Sequence, residues 1–288
     1  MGLGTMLKAN KALKMQRDGK KEEALRLYEE AIAGGLNEAR YLLPYSLLLV
    51  RDGQYQKAKE FLVKHQKMPM TQDQRIDLYV YYAVCCLRLG QVDKGIDVLE
   101  QQFRKTETGL LYQTLGYLYV EKYDMKNQPD FPAALPAEKP AEEPAEQPAE
   151  EPAAQTGDEP AEGDAAEKEP ELTPEEAWNA GKEKGEAFIR KSVEYDDEDS
   201  VCLDNLAQWL YRVRGDKAGA KEWFEKAIAQ KDSQIDTLYF LSRYDEEAGN
   251  RQAALEKMEK AAEGRFSPLN YCTRETVDSE IARLKGDA

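Results

Sequence analysis

LLYQTLGYLYVEKYD, Leu110 to Asp124, carries large apolar residues at helical spacing, yet the helix that should pair with it does not follow directly. About forty-five residues rich in Pro, Ala and Glu intervene before TPEEAWNAGKEKGEAFIRKSVEYDD resumes at Thr173. Every other segment reads as a whole helical hairpin. The stretch therefore marks one hairpin split by an insertion, and fixes an all-helical reading for the chain on either side.

Working outward, Gly19 and Gly53 lie 34 residues apart, as do Gly215 and Gly249, while Gly53 to Gly90 is 37 with three extra residues in KMPMTQD. A fixed period of this size signals stacked repeats. Five residues after each glycine stands a small residue, namely Ala24, Ala58, Gly95, Ala220 and Ala254. Four further on comes a larger apolar one, Tyr28, Leu62, Leu99, Phe224 and Met258, and three beyond that Ala31, His65, Gln102, Ala227 and Ala261. Such spacing puts them all on one helical face, small where helices touch and large where they interdigitate. The pattern predicts first helices near 3–18, 38–52, 72–89, 108–124, 200–214 and 234–248. Second helices follow near 20–33, 54–67, 91–104, 174–194, 216–230 and 250–263. A last helix over 268–285, with Asp278, Glu280 and Arg283 toward water, would cap the array. Thr173, Pro174 and Glu176 suit a helix start with a capping box.

The chain resembles the tetratricopeptide repeat family. RDGKKEEALRLYEEAI, RGDKAGAKEWFEKAI and AGNRQAALEKMEKAA match its second-helix pattern, and YQTLGYLYVEKYD its first-helix pattern of large residue, Leu-Gly and aromatic. His65 and Gln102 depart from the small residue of that pattern, Gly95 stands for Ala, and the turn proline is mostly missing. The resemblance implies an α-solenoid of stacked hairpins serving as an interaction scaffold. The expected organisation is 1–126 for three hairpins and the first helix of a fourth, 127–172 for a disordered acidic insertion, and 173–288 for the remainder.

Composition agrees once the insertion is set aside. Between Asn127 and Glu176 sixteen Asp or Glu stand against Lys139 and Lys168, a net of −14 out of −15 for the whole chain. The window also holds ten of the thirteen prolines and no Ile, Val, Tyr or Cys, so it has too little apolar surface to offset ordering entropy. PAEKPAEEPAEQPAEEPA repeats Pro every four residues, which forbids a regular helix and favours an extended form. It reads as a tolerated surface loop, or as an acidic strand that guards a basic groove. No apolar run is long enough to cross a bilayer, MGLGTM has Met6 where a myristoylation start needs Ser or Thr, and four cysteines without CxxC suit a reducing compartment. A cytoplasmic protein without membrane or nucleic-acid partners is expected.

On the inner side of the first helices, positions that an ordinary surface helix keeps polar are apolar: Leu13, Leu43, Leu47, Val80, Val84 and Tyr117. After the insertion the matching positions turn polar, with Asp204, Gln208 and Tyr211, then Tyr239, Arg243 and Glu246. Arg17, Arg51 and Arg88 stand two residues before three successive turn glycines. Such a ladder could anchor an acidic or carboxylate-bearing peptide along an apolar trough, although a cation in a last helical turn is also favoured by the helix dipole alone. Family members that grip a chaperone's terminal carboxylate carry Lys, Asn and Arg where this chain has Leu13, Leu43, Leu47, Val80 and Val84, so that mode is not implied.

Catalytic and cofactor chemistry finds little footing. His65, the single histidine, falls where the repeat buries a residue. Cys85 and Cys86 point about 100° apart on a helix and share no ligand readily. YDDEDS, 195–200, lacks the glycine and distal Glu of a calcium loop, and no phosphate-cradling glycine loop occurs. The expectation is a non-enzymatic scaffold without cofactor or metal, binding a protein or peptide partner. The alternative is a self-assembling or self-masked protein whose inner face is filled by another copy or by the insertion.

Overall fold

A computed structural model of the chain describes residues 2–131 and 172–286, and every regular element among them is helical. The chain divides into two compact units, Met1–Gln128 with Lys182–Ala288, and Pro129–Gly181. In the second unit, the described residues include the start of one helix, where Thr173 N–H donates to Glu176 Oε2 (2.9 Å) and Glu176 N–H to Thr173 Oγ1 (3.3 Å). That is the expected capping box. The bulk of the acidic insertion, 132–171, lies outside the described residues.

Six hairpins and a last helix make up the fold: α1 (Leu3–Arg17) with α2 (Lys21–Ala33), α3 (Ala39–Arg51) with α4 (Tyr55–His65), α5 (Gln72–Arg88) with α6 (Val92–Phe103), α7 (Gly109–Tyr123) with α8 (Pro174–Tyr195), α9 (Ser200–Gln208) with α10 (Lys217–Gln230), α11 (Ile235–Glu247) with α12 (Arg251–Ala262), then α13 (Arg274–Lys285). Each uninterrupted hairpin reverses at the repeat glycine, and Gly19, Gly53, Gly90, Gly215 and Gly249 have φ between +69° and +78°. A side chain there costs about 1–2 kcal/mol, which is why the period is written in glycine. In four of these turns the amide after the glycine bonds five residues back, as Lys20 N–H to Met15 O and Gln91 N–H to Cys86 O.

The fifth turn differs. Asp216 N–H reaches six residues back to Leu210 O, because α9 widens into a π-helical turn over Trp209–Arg214. One extra residue is accommodated in that turn, so the side-chain phase slips by one position. The inward place expected for Tyr211 passes to Arg212, while Tyr211 packs sideways on Phe240, 5.0 Å between ring centres.

Ala24, Ala58, Ala220 and Ala254 are fully buried at the helix crossings, as are Tyr28, Leu99, Phe224 and Met258 beside them. Gly95 has a packing reason to replace alanine. A Cβ there would come within 2.9 Å of Leu118 Cδ2 and 3.1 Å of the Ala83 carbonyl, so α5, α6 and α7 meet too closely for one. His65 is half-buried, its Nδ1 2.8 Å from Phe61 O and its ring on that of Phe61. The split hairpin closes in the larger unit through Phe188, which packs on Phe103 and Tyr112, and through Lys184, 2.6 Å from Glu100 Oε1.

The expected last helix begins later than its sequence predicts. Pro268 to Thr273 is irregular and α13 starts after Thr273, whose hydroxyl accepts from Thr276 N–H. The amides of Tyr271 and Cys272 are taken by Asp236 Oδ2 and Oδ1 at 2.9 and 3.0 Å, and so are withheld from a helix. Glu280 does not face water freely, being paired with Arg243 at 2.8 Å.

Gly95→Ala is expected to lower stability by a net of about 1 kcal/mol, crowding of about 2 kcal/mol being partly offset by helix propensity of about 1 kcal/mol. Urea unfolding followed by circular dichroism measures it.

Candidate functional site

The first helices touch in succession, α1 on α3, α3 on α5, α5 on α7 and α7 on α9. Of the inner-face residues singled out in the sequence, Leu43, Val80, Val84 and Tyr117 are buried, Leu13 and Leu47 half-buried, and Arg17, Arg51 and Arg88 exposed. Leu13, Arg17 and Arg51 come together in one recess with Arg265. Leu43 and Val84 share one apolar cluster, and Tyr117 lines a second cavity further along. The arginine ladder is thus divided.

Arg88 is divided from the others by the chain itself. The segment between α12 and α13, residues 263–273, runs back to α5 as a strap. Arg88 Nε donates to Pro268 O at 2.7 Å and Nη2 to Asn270 O at 3.0 Å. Leu269 packs on the apolar cluster that contains Leu43 and Val84. From the other side Asp236, at the start of α11, accepts from Asn270 Nδ2 as well as from the two strap amides. A carboxylate holding two backbone N–H groups and an arginine fork on two carbonyls are charge-assisted bonds, about 1.5–3 kcal/mol each against bulk exchange.

The polar half of the inner face is a buried ion cluster. Arg212 is 4% exposed, with Nη2 at 2.5 Å from Glu121 Oε1 and 2.7 Å from Asp124 Oδ2, and Nη1 donating to Gln208 Oε1. Its guanidinium carbon lies 4.1 Å from the centre of the Tyr271 ring on the strap. Burial works against the Arg212 charge, but Glu121, Tyr117 and Asp124 outweigh it and hold the guanidinium more firmly protonated than usual. Asp204 is buried too. Its carboxylate accepts from Thr237 Oγ1 and Gln208 Nε2, both at 2.6 Å. Burial, and then the charge of Asp236, push its carboxyl up to about 7.

Beside this cluster lies a cavity of about 390 Å³, walled by Thr114, Tyr117, Asp204, Gln234, Asp236 and the strap. Thr114 Oγ1 is buried and has no hydrogen-bond partner among the described residues. Sequence reading missed Arg212, Asp236 and the strap. The spacing Asp204, Gln208, Arg212 was a signal for the first, but an ordinary helical phase sends Tyr211 inward instead. Among the described residues no group of three His, Cys, Asp or Glu could hold a metal ion, and the four cysteines are buried thiols, with burial pushing Cys85 and Cys202 up to about 12.

Two outcomes follow from the geometry. Arg88→Ala should speed hydrogen exchange of the Tyr271 and Cys272 amides at least tenfold, since Arg88 is exposed and solvent discounts its two strap bonds together to about 1.4 kcal/mol or more of local opening. Asp204 keeps its proton up to about pH 7 when folded but releases it near 3.8 when unfolded. Its stability contribution is therefore full below about pH 3.8 and is lost as pH rises through about 7, an interval worth about 4 kcal/mol at most. In Asp204→Asn, whose amide can accept from Gln208 and donate to the Thr237 hydroxyl, stability relative to the parent should rise between pH 4 and pH 8, read from urea midpoints.

The model of a family described as anaphase-promoting complex, cyclosome, subunit 3 matches residues 12–102. No curated protein matches the chain. Among solved structures, a tetratricopeptide repeat protein from Parabacteroides merdae superposes with a TM-score of 0.67 at 12% identity, over 98% of this chain and 85% of that one. A thermophilic TPR protein of Thermus thermophilus gives 0.57 at 14% identity, over 86% and 99%. Human IFIT1, solved as a dimer with m7Gppp-AAAA, gives 0.55 at 15% identity, over 91% of this chain and 49% of that one. Likeness at such identities concerns the fold, and together with the glycine period and the hairpin packing it gives this chain the fold of the tetratricopeptide repeat proteins.

Proposed function

We propose that the chain is a non-enzymatic, cytoplasmic scaffold that holds a peptide or helix of a partner protein against the inner face of its repeats. The observation that carries this reading is the strap. An extended, irregular segment is seated there by an arginine fork on its carbonyls, a carboxylate on its amides and an apolar side chain in the trough, which are the contacts a bound peptide would need. Leu13, Leu47, Arg17 and Arg51 are open to a partner as the chain stands, whereas Arg88 is held by the strap, Leu43 and Val84 share the cluster on which Leu269 packs, Tyr117 lines the cavity the strap walls, and Val80 is buried. The fold does not by itself select the ligand, since human IFIT1 was solved with m7Gppp-AAAA. Here the middle of the face sets Glu121, Asp124, Asp204 and Asp236 around Arg212, a poor track for a phosphate backbone and a fair one for a polypeptide.

A second reading, a self-masked protein, is favoured by the same strap. The chain's own 263–273 is an occupant that sequence did not suggest, beside the second copy or the acidic insertion, most of which lies outside the described residues. The two readings join if the strap yields to a partner.

No helix among the described residues is long and apolar enough to cross a membrane. Benzoylphenylalanine placed at Leu47 should give a discrete protein adduct in cells on illumination, and the same probe at the exposed Glu222 of α10 should not. Leu47→Glu in the presence of a probe at Leu13 should abolish that adduct with helical circular dichroism unchanged. Equal adducts from Leu47 and Glu222 would remove the inner face as the recognition surface.

A further inference from the structure

Arg17 at the end of α1, Arg51 at the end of α3 and Arg265 at the start of the strap open onto one recess of about 310 Å³, completed by Leu13, Gln16 and Pro44. Among the described residues no Asp or Glu lines it. Among the described residues none of the three arginines has an ion pair, in contrast to Arg212, Arg214, Arg243 and Arg283, which each hold one or more carboxylates. Gln16 is not free to serve them, since its Nε2 donates to Pro44 O and its Oε1 accepts from Tyr28. Burial, and then the nearby charge of Arg265, make Arg51 easier to deprotonate than an ordinary arginine. Three like charges, two from repeats 34 residues apart and the third more than two hundred residues further on, repel one another, and among the described residues no carboxylate is paired with any of them.

We propose that this recess binds a phosphate dianion, free or as a phosphate monoester on a partner's side chain. Arginine rather than lysine at all three places offers planar forks of donors, suited to bidentate contact with oxyanions. A carboxylate, with one charge and two oxygens, would leave two cations unbalanced. A phosphate monoester carries a charge of about −1.5 to −2 at pH 7 and three acceptor oxygens, one for each fork. The inference deepens the recognition reading above by giving the partner a phosphorylated residue, and only in that form does it rest on it.

The test is calorimetry on the full chain at fixed ionic strength, with inorganic phosphate, O-phosphoserine and acetate as probes. One saturable site for phosphate and phosphoserine is expected, with Arg51→Gln and Arg265→Gln each weakening it at least tenfold, Arg51→Lys losing less, and Arg104→Gln, at an exposed arginine after α6, leaving it unchanged. Tighter binding of phosphoserine than of phosphate assigns the site to a phosphorylated side chain, and the reverse assigns it to the free ion. No saturable binding, binding indifferent to Arg51→Gln and Arg265→Gln, or acetate as tight as phosphate would overturn the proposal. All three arginines are at the surface, and unchanged helical circular dichroism checks that the variants fold. The Leu47 adduct is read without added phosphate, so either reading can fail while the other stands.

Discussion

Ala24, Ala58, Gly95, Ala220 and Ala254 stand where the second helix of each uninterrupted hairpin after the turn meets the first, and all five are buried. At such a contact the backbones approach closely, and the long residues on either side fill the neighbouring grooves. A first helix held this way has its partner on one side and the next repeat on another. Its third, inner side must then be solvated, covered or filled. In α3 and α5 that side carries Leu43, Val80 and Val84, which water solvates poorly, so the tight crossing creates a demand for cover. The strap meets part of that demand with Leu269.

Further along, the same side is filled with charge instead. An arginine and three acids out of water, with Glu121 half-buried beside them, are costly unless each hydrogen-bonding group finds a partner. Arg212 spends its guanidinium on Glu121, Asp124 and Gln208, and lays its face on Tyr271. Asp236 is used differently, holding the strap by its amides. Asp204 is the least compensated member, and its raised carboxyl pKa is the consequence. The cluster joins α7, α9, the π-helical turn, α11 and the strap in one network, so a change in any of them is felt by the others.

What could be read from the sequence was whatever repeats. Glycines that need positive φ, small residues at crossings and aromatic residues beside them recur at a fixed period, and helix positions follow from them to within a few residues. Features that occur once were hidden. The π-helical turn has no compositional mark and moves Arg212 into a place assigned to Tyr211. Pro268 looked like the first turn of a helix, and only the long-range bond from Asp236 to Tyr271 and Cys272 explains why the helix waits for Thr273. The arginine ladder was visible as a register, but its division between a strap contact at Arg88 and an open recess at Arg17 and Arg51 depends on where residues 263–273 lie. Arg265 has no repeat equivalent at all.

Placing Arg265 on the strap gives the recess a consequence for the rest of the inner face. An anion held jointly by Arg17, Arg51 and Arg265 ties the start of the strap to α1 and α3, and so favours the state in which the strap stays seated. A peptide that uses Arg88 and the apolar cluster holding Leu43 and Val84 favours the opposite state, because Arg88 is taken by Pro268 and Asn270 and Leu269 packs on that cluster while the strap is down. Each ligand can shift the strap only by its difference in affinity for the two states, and the effect of one on the other must be reciprocal. The sign of that coupling reports how a partner is held. An isolated anion opposes a peptide that lifts the strap, whereas a partner whose own phosphate reaches the recess beside a seated strap suffers no such opposition. The geometry around Arg265 therefore makes the strap more than a cover, because Arg265 stands in the wall of both recesses.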